Sequence, residues 1–353
     1  MPFREPAAPE ERLLSLMLNA VLDPRLDAQA AGLVYSSDDA PGISRVRRGR
    51  GWSFKDPLGC TIADGAERQR CLSLGVPPAY EDVWICPDAR GHLQATGRDV
   101  RGRKTYLYHD DWRRFRDEKK FSALGGFGRK LKEARQTNDG LRRGLQPSRA
   151  RVLAAVFHLL DTHAVRVGND TYAEANGSYG ATTLRTRHLK EDETHHLVLQ
   201  FKGKSGKLQK VELHDRRFEN LLRTLSDLPG QRLFQYEDEE GALCPLTSSD
   251  VNAYLHGLFG DTVTAKTFRT WHGSVAAFAA ACREGAKVDD VLEAASGRLG
   301  NTKAVARSSY VHPRIIEEVK DGTFAGLGRN PCNMRARSGL GREESAFLRW
   351  LER

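Results

Sequence analysis

The sequence predicts an α+β fold, in which a small β-rich N-terminal domain precedes a larger, mainly α-helical C-terminal domain. From about residue 31 to 110, short apolar or aromatic runs alternate with Gly, Pro and Asp, which is typical of antiparallel strands joined by tight turns. Beyond residue 148, apolar residues recur at helical spacing. The 353 residues are enough for two domains with separate cores. We place the boundary near residues 111–118, which gives domains of residues 1–114 and 115–353.

The second domain contains three predicted helices and one predicted hairpin. The stretch "SRARVLAAVFHLLDTHAVRVG" has a helical apolar face, with Ser148 as its N-cap. The stretches "TFRTWHGSVAAFAAACREG" and "VDDVLEAASG" also indicate helices, and Thr267 is expected to cap the first of them. Between these helices, "HHLVLQFKGKSGKLQKVEL" predicts a hairpin that turns at residues 203–206. A short amphipathic helix is predicted after Gly341.

The composition favours a cytoplasmic protein with a polyanionic partner. The net charge is +9 and the sequence pI is near 9.3, so nucleic acid or an anionic surface is favoured. The six cysteines lack the spacing of a zinc knuckle or a disulfide framework, and we interpret them as reduced thiols. The apolar run at residues 13–22 follows two glutamates and is too short to span a bilayer, so it predicts an amphipathic surface helix.

No metal site is predicted. The acidic runs at residues 191–193 and 237–240 have no carboxylate or histidine partner at ligand spacing, which favours solvated loops. If a phosphodiester is the substrate, cationic side chains must therefore replace a metal ion. Arginine suits this task, because its planar guanidinium can bind two phosphate oxygens and keeps its charge.

Four residues are candidates for such chemistry, although each has an ordinary structural interpretation in isolation. Arg166 lies where a helical pattern ends, and Lys204 lies in the hairpin turn. Arg269 is expected in the first turn of its helix, where a cation is disfavoured unless an anion docks there. Tyr310 lies among small and basic residues, although a lone tyrosine is most often structural.

The order and spacing of these residues resemble the type IB DNA topoisomerases, especially the small poxvirus and bacterial form. "RVGNDTY" resembles the family's R-x-G-x-x-x-Y segment and matches Arg166 and Tyr172. "FKGK" resembles its F-x-G-K hairpin and matches Lys204. "KTFRT" resembles K-x-x-R-T and matches Lys266 and Arg269.

Two further segments extend the resemblance. "LGNTKAVARSSYVHP" is similar to the family's closing segment, in which a His or Asn precedes the nucleophilic Tyr by nine residues, here Asn301 and Tyr310. "GRDVRGRKTYLYHD" is similar to the strand whose tyrosines, here Tyr106 and Tyr108, contact DNA in the viral enzymes. The resemblance runs from about residue 31 to 320.

The resemblance implies a DNA topoisomerase that breaks one strand, lets it swivel and religates it without ATP, cofactor or obligatory metal. It implies that Tyr310 is the nucleophile and forms a 3′-phosphotyrosyl ester. Arg166, Arg269 and Asn301 would bind the phosphoryl oxygens, and Lys204 would be the general acid for the leaving 5′-oxygen.

The implied partner is double-stranded DNA, held by a single chain that closes around it as a clamp in the bacterial nucleoid. Tyr106, Tyr108, Tyr172 and Lys266 would contact this DNA, and the basic stretches "SRVRRGRGW" and "RGRKTYLY" would lie on phosphates.

Two alternatives remain open at this point. A tyrosine recombinase shares the Arg, Lys, Arg and Tyr arrangement, but it usually has His where this chain has Lys266, and a helical N-terminal domain. A DNA-binding protein of the same fold without catalysis would also explain the charge. It would need no tyrosine at position 310.

Overall fold

The computed structural model describes residues 23–63, 65–144, 146–324 and 335–353. The helix predicted at residues 13–22 lies outside these residues. The chain forms two compact units that divide between Lys119 and Lys120. The first is rich in β-structure and the second is mainly helical, which confirms the predicted α+β class.

The described part of the first unit is built on a five-stranded antiparallel sheet with the strand order β2-β1-β3-β4-β5. Alternation along each strand directs Ile43, Phe54, Ile85 and Ala95 into one small core. Its elements are α1 (Pro24–Ala30), β1 (Ile43–Arg48), β2 (Gly51–Lys55), α2 (Gly65–Ser73), β3 (Glu81–Ile85), β4 (Leu93–Arg98) and β5 (Lys104–Tyr108).

The register of β5 places two tyrosines on the face opposite this core. Leu107 lies across from Ala95 and packs on the core, whereas Tyr106 lies across from Thr96. Tyr106 and Tyr108 are two positions apart, so they share a face. Both are exposed, and their ring centroids lie 6.2 Å apart in nearly parallel planes. The strand therefore presents a pair of stacked phenols to solvent.

The second unit packs its helices around a large apolar core, with two small sheets at its surface. Aromatic rings from four helices meet in this core: Phe127, Phe157, Phe259, Phe268 and Trp271. Helix α3 (Asp110–Leu141) starts in the first unit and ends in the second, without a break at residues 114 and 115. The other elements are α4 (Arg149–His163), α5 (Asp170–Asn176), β6 (Leu189–Glu191), β7 (Leu197–Lys202), β8 (Leu208–Glu212), α6 (Arg216–Ser226), β9 (Gln235–Glu237), β10 (Leu243–Pro245), α7 (Ser248–Phe259), α8 (Ala265–Ala281), α9 (Val288–Leu299), α10 (Lys303–Ser309), α11 (Pro313–Lys320) and α12 (Arg342–Leu351).

The predicted cap, hairpin and terminal helix are confirmed. The Ser148 hydroxyl accepts from the N–H of Arg151 at the start of α4. Strands β7 and β8 form the hairpin, and the chain reverses through Ser205 and Gly206, which have φ values of 64° and 72°. The terminal helix is α12. Every described helix is too short or too polar to traverse a bilayer, and the five described cysteines are free thiols.

The second unit holds several buried or half-buried histidines, which predicts acid sensitivity. Burial, aided by nearby cations, lowers their pKa from 6.5 to about 4, and to about 3 for one of them: His158, His163, His188 and His312, then His272. Between pH 6.5 and 4 the unfolded chain therefore binds more protons than the folded chain. The contribution of one such histidine to the free energy of unfolding is fully present above pH 6.5 and falls by at most about 1.4 kcal/mol for each pH unit below it.

Urea unfolding followed between pH 7 and 4 checks this expectation. His158→Gln should reduce the slope of unfolding free energy against pH. Equal slopes in His158→Gln and in the unchanged protein would contradict the assignment.

Candidate active site

Arg166 is held by a tightly packed backbone just after α4. The helix ends at His163, and its C-cap residue Ala164 adopts a left-handed conformation with φ 51°. The Arg166 carbonyl accepts from the N–H of Ala181 at 2.8 Å. A Cβ at Gly180 would lie 2.5 Å from this carbonyl oxygen, and Gly168 has φ 103°. The glycines therefore fix the position from which Arg166 projects.

The start of α8 differs from the prediction. The helix begins at Ala265 with Thr264 as its N-cap, and the Thr267 hydroxyl accepts from the N–H of Thr264 at 3.1 Å. The predicted cap at Thr267 is therefore wrong, because Thr267 closes a capping box from inside the first turn. Arg269 consequently lies beyond the first turn and is only 4% exposed. It is not a docking residue beside free helix amides.

The Arg269 side chain is oriented by carbonyl groups from other elements. Its Nη1 donates to the Ala164 carbonyl, and its Nη2 donates to the Leu299 carbonyl at 2.9 Å. Its Nε is buried without a partner among the described residues. The guanidinium is thus fixed in place, with one donor still available.

Asn301 lies between the two arginines. Its Oδ1 accepts from Arg166 Nη2 at 2.7 Å and from Arg269 Nη2 at 3.1 Å. Because guanidinium groups only donate, they determine which end of the amide faces them. The Asn301 Nδ2 is buried and has no partner among the described residues. The amide of Asn301 therefore keeps an unpartnered N–H donor on the end opposite the oxygen that the two guanidinium groups share.

Tyr310 follows α10 and rests against α8. Its N–H donates to the Ala306 carbonyl at 3.0 Å, and its carbonyl accepts from the Ser274 hydroxyl at 2.9 Å. The same hydroxyl accepts from the N–H of His312 at 3.0 Å. A Cβ at Gly273 would lie 3.1 Å from Tyr310 Cβ, so this glycine allows the close approach. The sequence prediction missed both α8 residues, although a glycine inside a helical pattern is a usable signal of close packing.

The environment of Tyr310 favours its phenolate. Burial raises the pKa of a phenol, but the donor groups and charge of Arg269, with the charges of Arg166 and Lys266, outweigh burial and leave the Tyr310 pKa below its ordinary value of 10. The Arg269 guanidinium carbon lies 5.1 Å from the ring centroid. Tyr310 itself is 9% exposed. Tyr310 is therefore a largely buried phenol whose pKa lies below its ordinary value.

These residues line one cleft of about 480 Å³. Arg166, Lys204, Arg269, Asn301 and Tyr310 all border it. Lys266 and Lys207 also border it, and none of the described lining residues is acidic. Burial and the charge of Arg269 together lower the pKa of Arg166. The described lining of the cleft therefore has an excess of positive charge, which a bound anion would balance.

The other predicted contact residues lie outside this cleft. Tyr172 is on α5 with 57% of its surface exposed, and the side chain of Asn169 caps that helix at the Tyr172 N–H. Tyr106 and Tyr108 belong to the first unit. No group of three His, Cys, Asp or Glu side chains suited to a metal ion occurs within residues 23–63, 65–144, 146–324 and 335–353.

Chemically, the cleft can bind a phosphodiester and attack it. Two guanidinium groups, an amide with an unpartnered N–H and a phenol line it together. Lys204 adds an ammonium group from the hairpin turn. A phenol, cations that can stabilise negative charge and an ammonium group that can donate a proton are thus present on separate elements.

Comparisons with known proteins agree with this chemistry. A family model described as "Eukaryotic DNA topoisomerase I, catalytic core" matches residues 109–313, which is more than half of the chain. A second, "Bacterial DNA topoisomerase IB, N-terminal domain", matches residues 51–99. The chain is also similar to DNA topoisomerase 1B of Acanthamoeba polyphaga mimivirus, with 29% identity over 270 residues that cover 70% of this chain and 79% of the viral protein. The resemblance inferred from the motifs is confirmed, and the chain belongs to the type IB DNA topoisomerase family.

Proposed function

We propose that this enzyme relaxes supercoiled DNA through a transient 3′-phosphotyrosyl intermediate at Tyr310. The phenolic oxygen forms a bond to a backbone phosphorus, the bond from phosphorus to the 5′-oxygen breaks, and the phenolic proton passes to solvent. The broken strand swivels around the intact one. The 5′-hydroxyl then attacks the ester and restores the diester, so that no ATP is consumed. The proposal depends chiefly on one observation: Tyr310 lies beside Arg269 in a cleft that five cationic side chains line, and none of its described lining residues is acidic.

In this proposal the polar groups of the cleft divide the remaining work. Arg166 and Arg269 bind the non-bridging oxygens, and the free Nδ2 of Asn301 donates a third hydrogen bond. These groups stabilise the negative charge on the phosphoryl oxygens, as a divalent ion does in other phosphoryl-transfer enzymes. Lys204 gives its proton to the leaving 5′-oxygen and takes it back on religation.

DNA contacts are proposed on both units. The exposed tyrosine pair Tyr106 and Tyr108 supplies contacts from the first unit, and Tyr172 and Lys266 supply contacts from the second. A single chain acts as a clamp around the duplex, and its setting is the bacterial nucleoid. The excess of basic residues supports binding to phosphates.

Supercoiled plasmid incubated with the protein in EDTA tests the proposed function. We expect a ladder of topoisomers that ends in relaxed circles, without ATP and without a specific sequence. Strand exchange restricted to paired sites would instead indicate a recombinase. Absence of both relaxation and covalent adduct would indicate a DNA-binding protein without catalysis.

Asn301 variants test the oxyanion contact. Asn301→Ala is expected to slow strand cleavage by about 10²- to 10³-fold, because it removes a donor and leaves two guanidinium groups without their shared acceptor. Asn301→His should retain activity, since a neutral imidazole has one acceptor and one donor. The measurement is the rate of adduct formation at saturating DNA.

The exposed Asn220→Ala on α6 is the matched control, and it should cleave at the unchanged rate. An unaltered rate in Asn301→Ala would remove Asn301 from the proposed mechanism.

A further inference from the structure

The terminal helix α12 is docked on the catalytic unit by its buried face. Ser345, Ala346, Phe347, Leu348 and Trp350 are all buried. Phe347 packs edge-on against Trp271 of α8, with centroids 5.3 Å apart. The helix therefore contacts the same element that bears Arg269.

Glu344 connects α12 to α8 and α3 through a half-buried polar hub. Its carboxylate accepts from Arg135 Nη1 and Nη2 at 2.9 and 2.8 Å. It also accepts from the Trp271 indole N–H at 3.0 Å. Trp271 has no exposed surface and lies two residues after Arg269. Although burial raises a carboxyl pKa, Arg135 brings the pKa of Glu344 down to about 2, so the group stays ionised at neutral pH.

Trp350 ties the other end of α12 to the segment after the nucleophile. Its ring lies 5.2 Å from that of His312, two residues after Tyr310. Its indole N–H donates to Glu318 at 3.0 Å, and its carbonyl accepts from Arg314 at 2.8 Å. The Arg314 guanidinium carbon lies 3.7 Å from the Trp350 ring centroid. Helix α12 therefore contacts both α8 and α11.

We propose that α12 is a positioning element of the catalytic centre: Glu344 and Trp350 hold α8 and the turn after Tyr310 in fixed register, so that Arg269 meets the phenol. Neither residue lines the cleft, so both act through others. The inference rests on the proposed function, because it concerns the geometry of the same strand cleavage. A small displacement of a reacting group is enough to slow a positioned reaction strongly.

Full-length Glu344→Gln tests the inference, with Glu343→Gln as control. Glu343 is an exposed neighbour, so the control makes the same charge change without touching the hub. Adduct formation and religation are measured at saturating plasmid, together with the Kd for DNA and the circular dichroism of the folded protein. We expect Glu344→Gln to slow cleavage and religation equally, by about tenfold to a hundredfold. The Kd should change less than about threefold, since the phosphate-binding side chains are untouched.

A second substrate separates positioning from proton donation. It is a duplex with sulfur replacing the bridging 5′-oxygen at a cleavage site mapped on the plasmid. A thiolate leaves without protonation, so this substrate removes the need for a general acid. The deficit of Glu344→Gln should persist on it, because the variant disturbs the nucleophile and its arginine.

The outcomes are distinguishable. If Glu344→Gln is folded and cleaves at the unchanged rate, even with a lower melting temperature, α12 is only a stabilising helix and the inference fails. If Glu344→Gln weakens DNA binding and leaves both rates unchanged, the inference fails as well. Should Glu344→Gln not fold, Trp350→Phe is measured in the same way; it removes the indole N–H bond to Glu318 and shrinks the ring that packs on His312 and Arg314. If the unchanged protein forms no adduct, the proposed function itself fails.

Discussion

Tyr310→Phe is expected to abolish the covalent protein–DNA adduct while leaving DNA binding within about threefold, because phosphate contacts dominate affinity. The change deletes one oxygen, which is the only atom of the ring that can attack phosphorus. The ring itself is retained against Arg269 and Gly273, so the packing of the site is preserved. Plasmid quenched with denaturant reports the adduct, and anisotropy across a salt series reports binding.

Tyr236→Phe is the matched control, since Tyr236 is a half-buried phenol of β9 outside the cleft. It should form adduct at the unchanged rate. Peptide mapping of the nucleotide-bearing fragment should identify residue 310. Adduct formation by Tyr310→Phe, or an ester mapped elsewhere, would remove the central step of the mechanism.

Lys204→Ala is expected to slow cleavage of ordinary DNA by about 10²- to 10⁴-fold, the usual contribution of a general acid. Lys204 lies at the hairpin turn and lines the same cleft as Tyr310, and no other proposed residue supplies a proton to the leaving oxygen. The sulfur-substituted duplex should restore most of the rate, because a thiol is far more acidic than an alcohol. Rates are measured at saturating DNA on both substrates.

Lys207→Ala provides the comparison within the same hairpin, since Lys207 also lines the cleft. It should weaken binding at most and show no preference for the sulfur substrate. If the sulfur-substituted duplex restored the cleavage rate of Lys207→Ala and not that of Lys204→Ala, Lys207 would be the general acid. Failure to rescue either would mean that neither lysine protonates the leaving group.

Much of the fold and of the site follows from local sequence. Ser148 caps α4 because a hydroxyl satisfies a free helix amide, and the turn at residues 203–206 follows from its glycines. The assembly of Arg166, Lys204, Arg269 and Tyr310 in one cleft agrees with the motif order. Their catalytic roles remain predictions.

What the sequence did not predict depends on contacts between distant segments. Ser274 looks like an ordinary helical serine until its hydroxyl is found between Tyr310 and His312. Arg45, in a stretch expected to lie on phosphates, instead donates to the carbonyls of Val76, Pro77 and Tyr80. Glu344 gains its importance from residues far away in the chain. Local sequence patterns contain no information on contacts between residues that are far apart in the chain.

Helix α8 contains Arg269 and, four and five residues later, Gly273 and Ser274, which contact Tyr310. In the proposed mechanism, any movement of α8 therefore moves Arg269 together with Tyr310 and the DNA end esterified to it. The arginine–tyrosine pair then needs no reassembly while the broken strand swivels. We expect the lifetime of the break to depend on the return of the 5′ end and of Lys204, which lies on a separate hairpin.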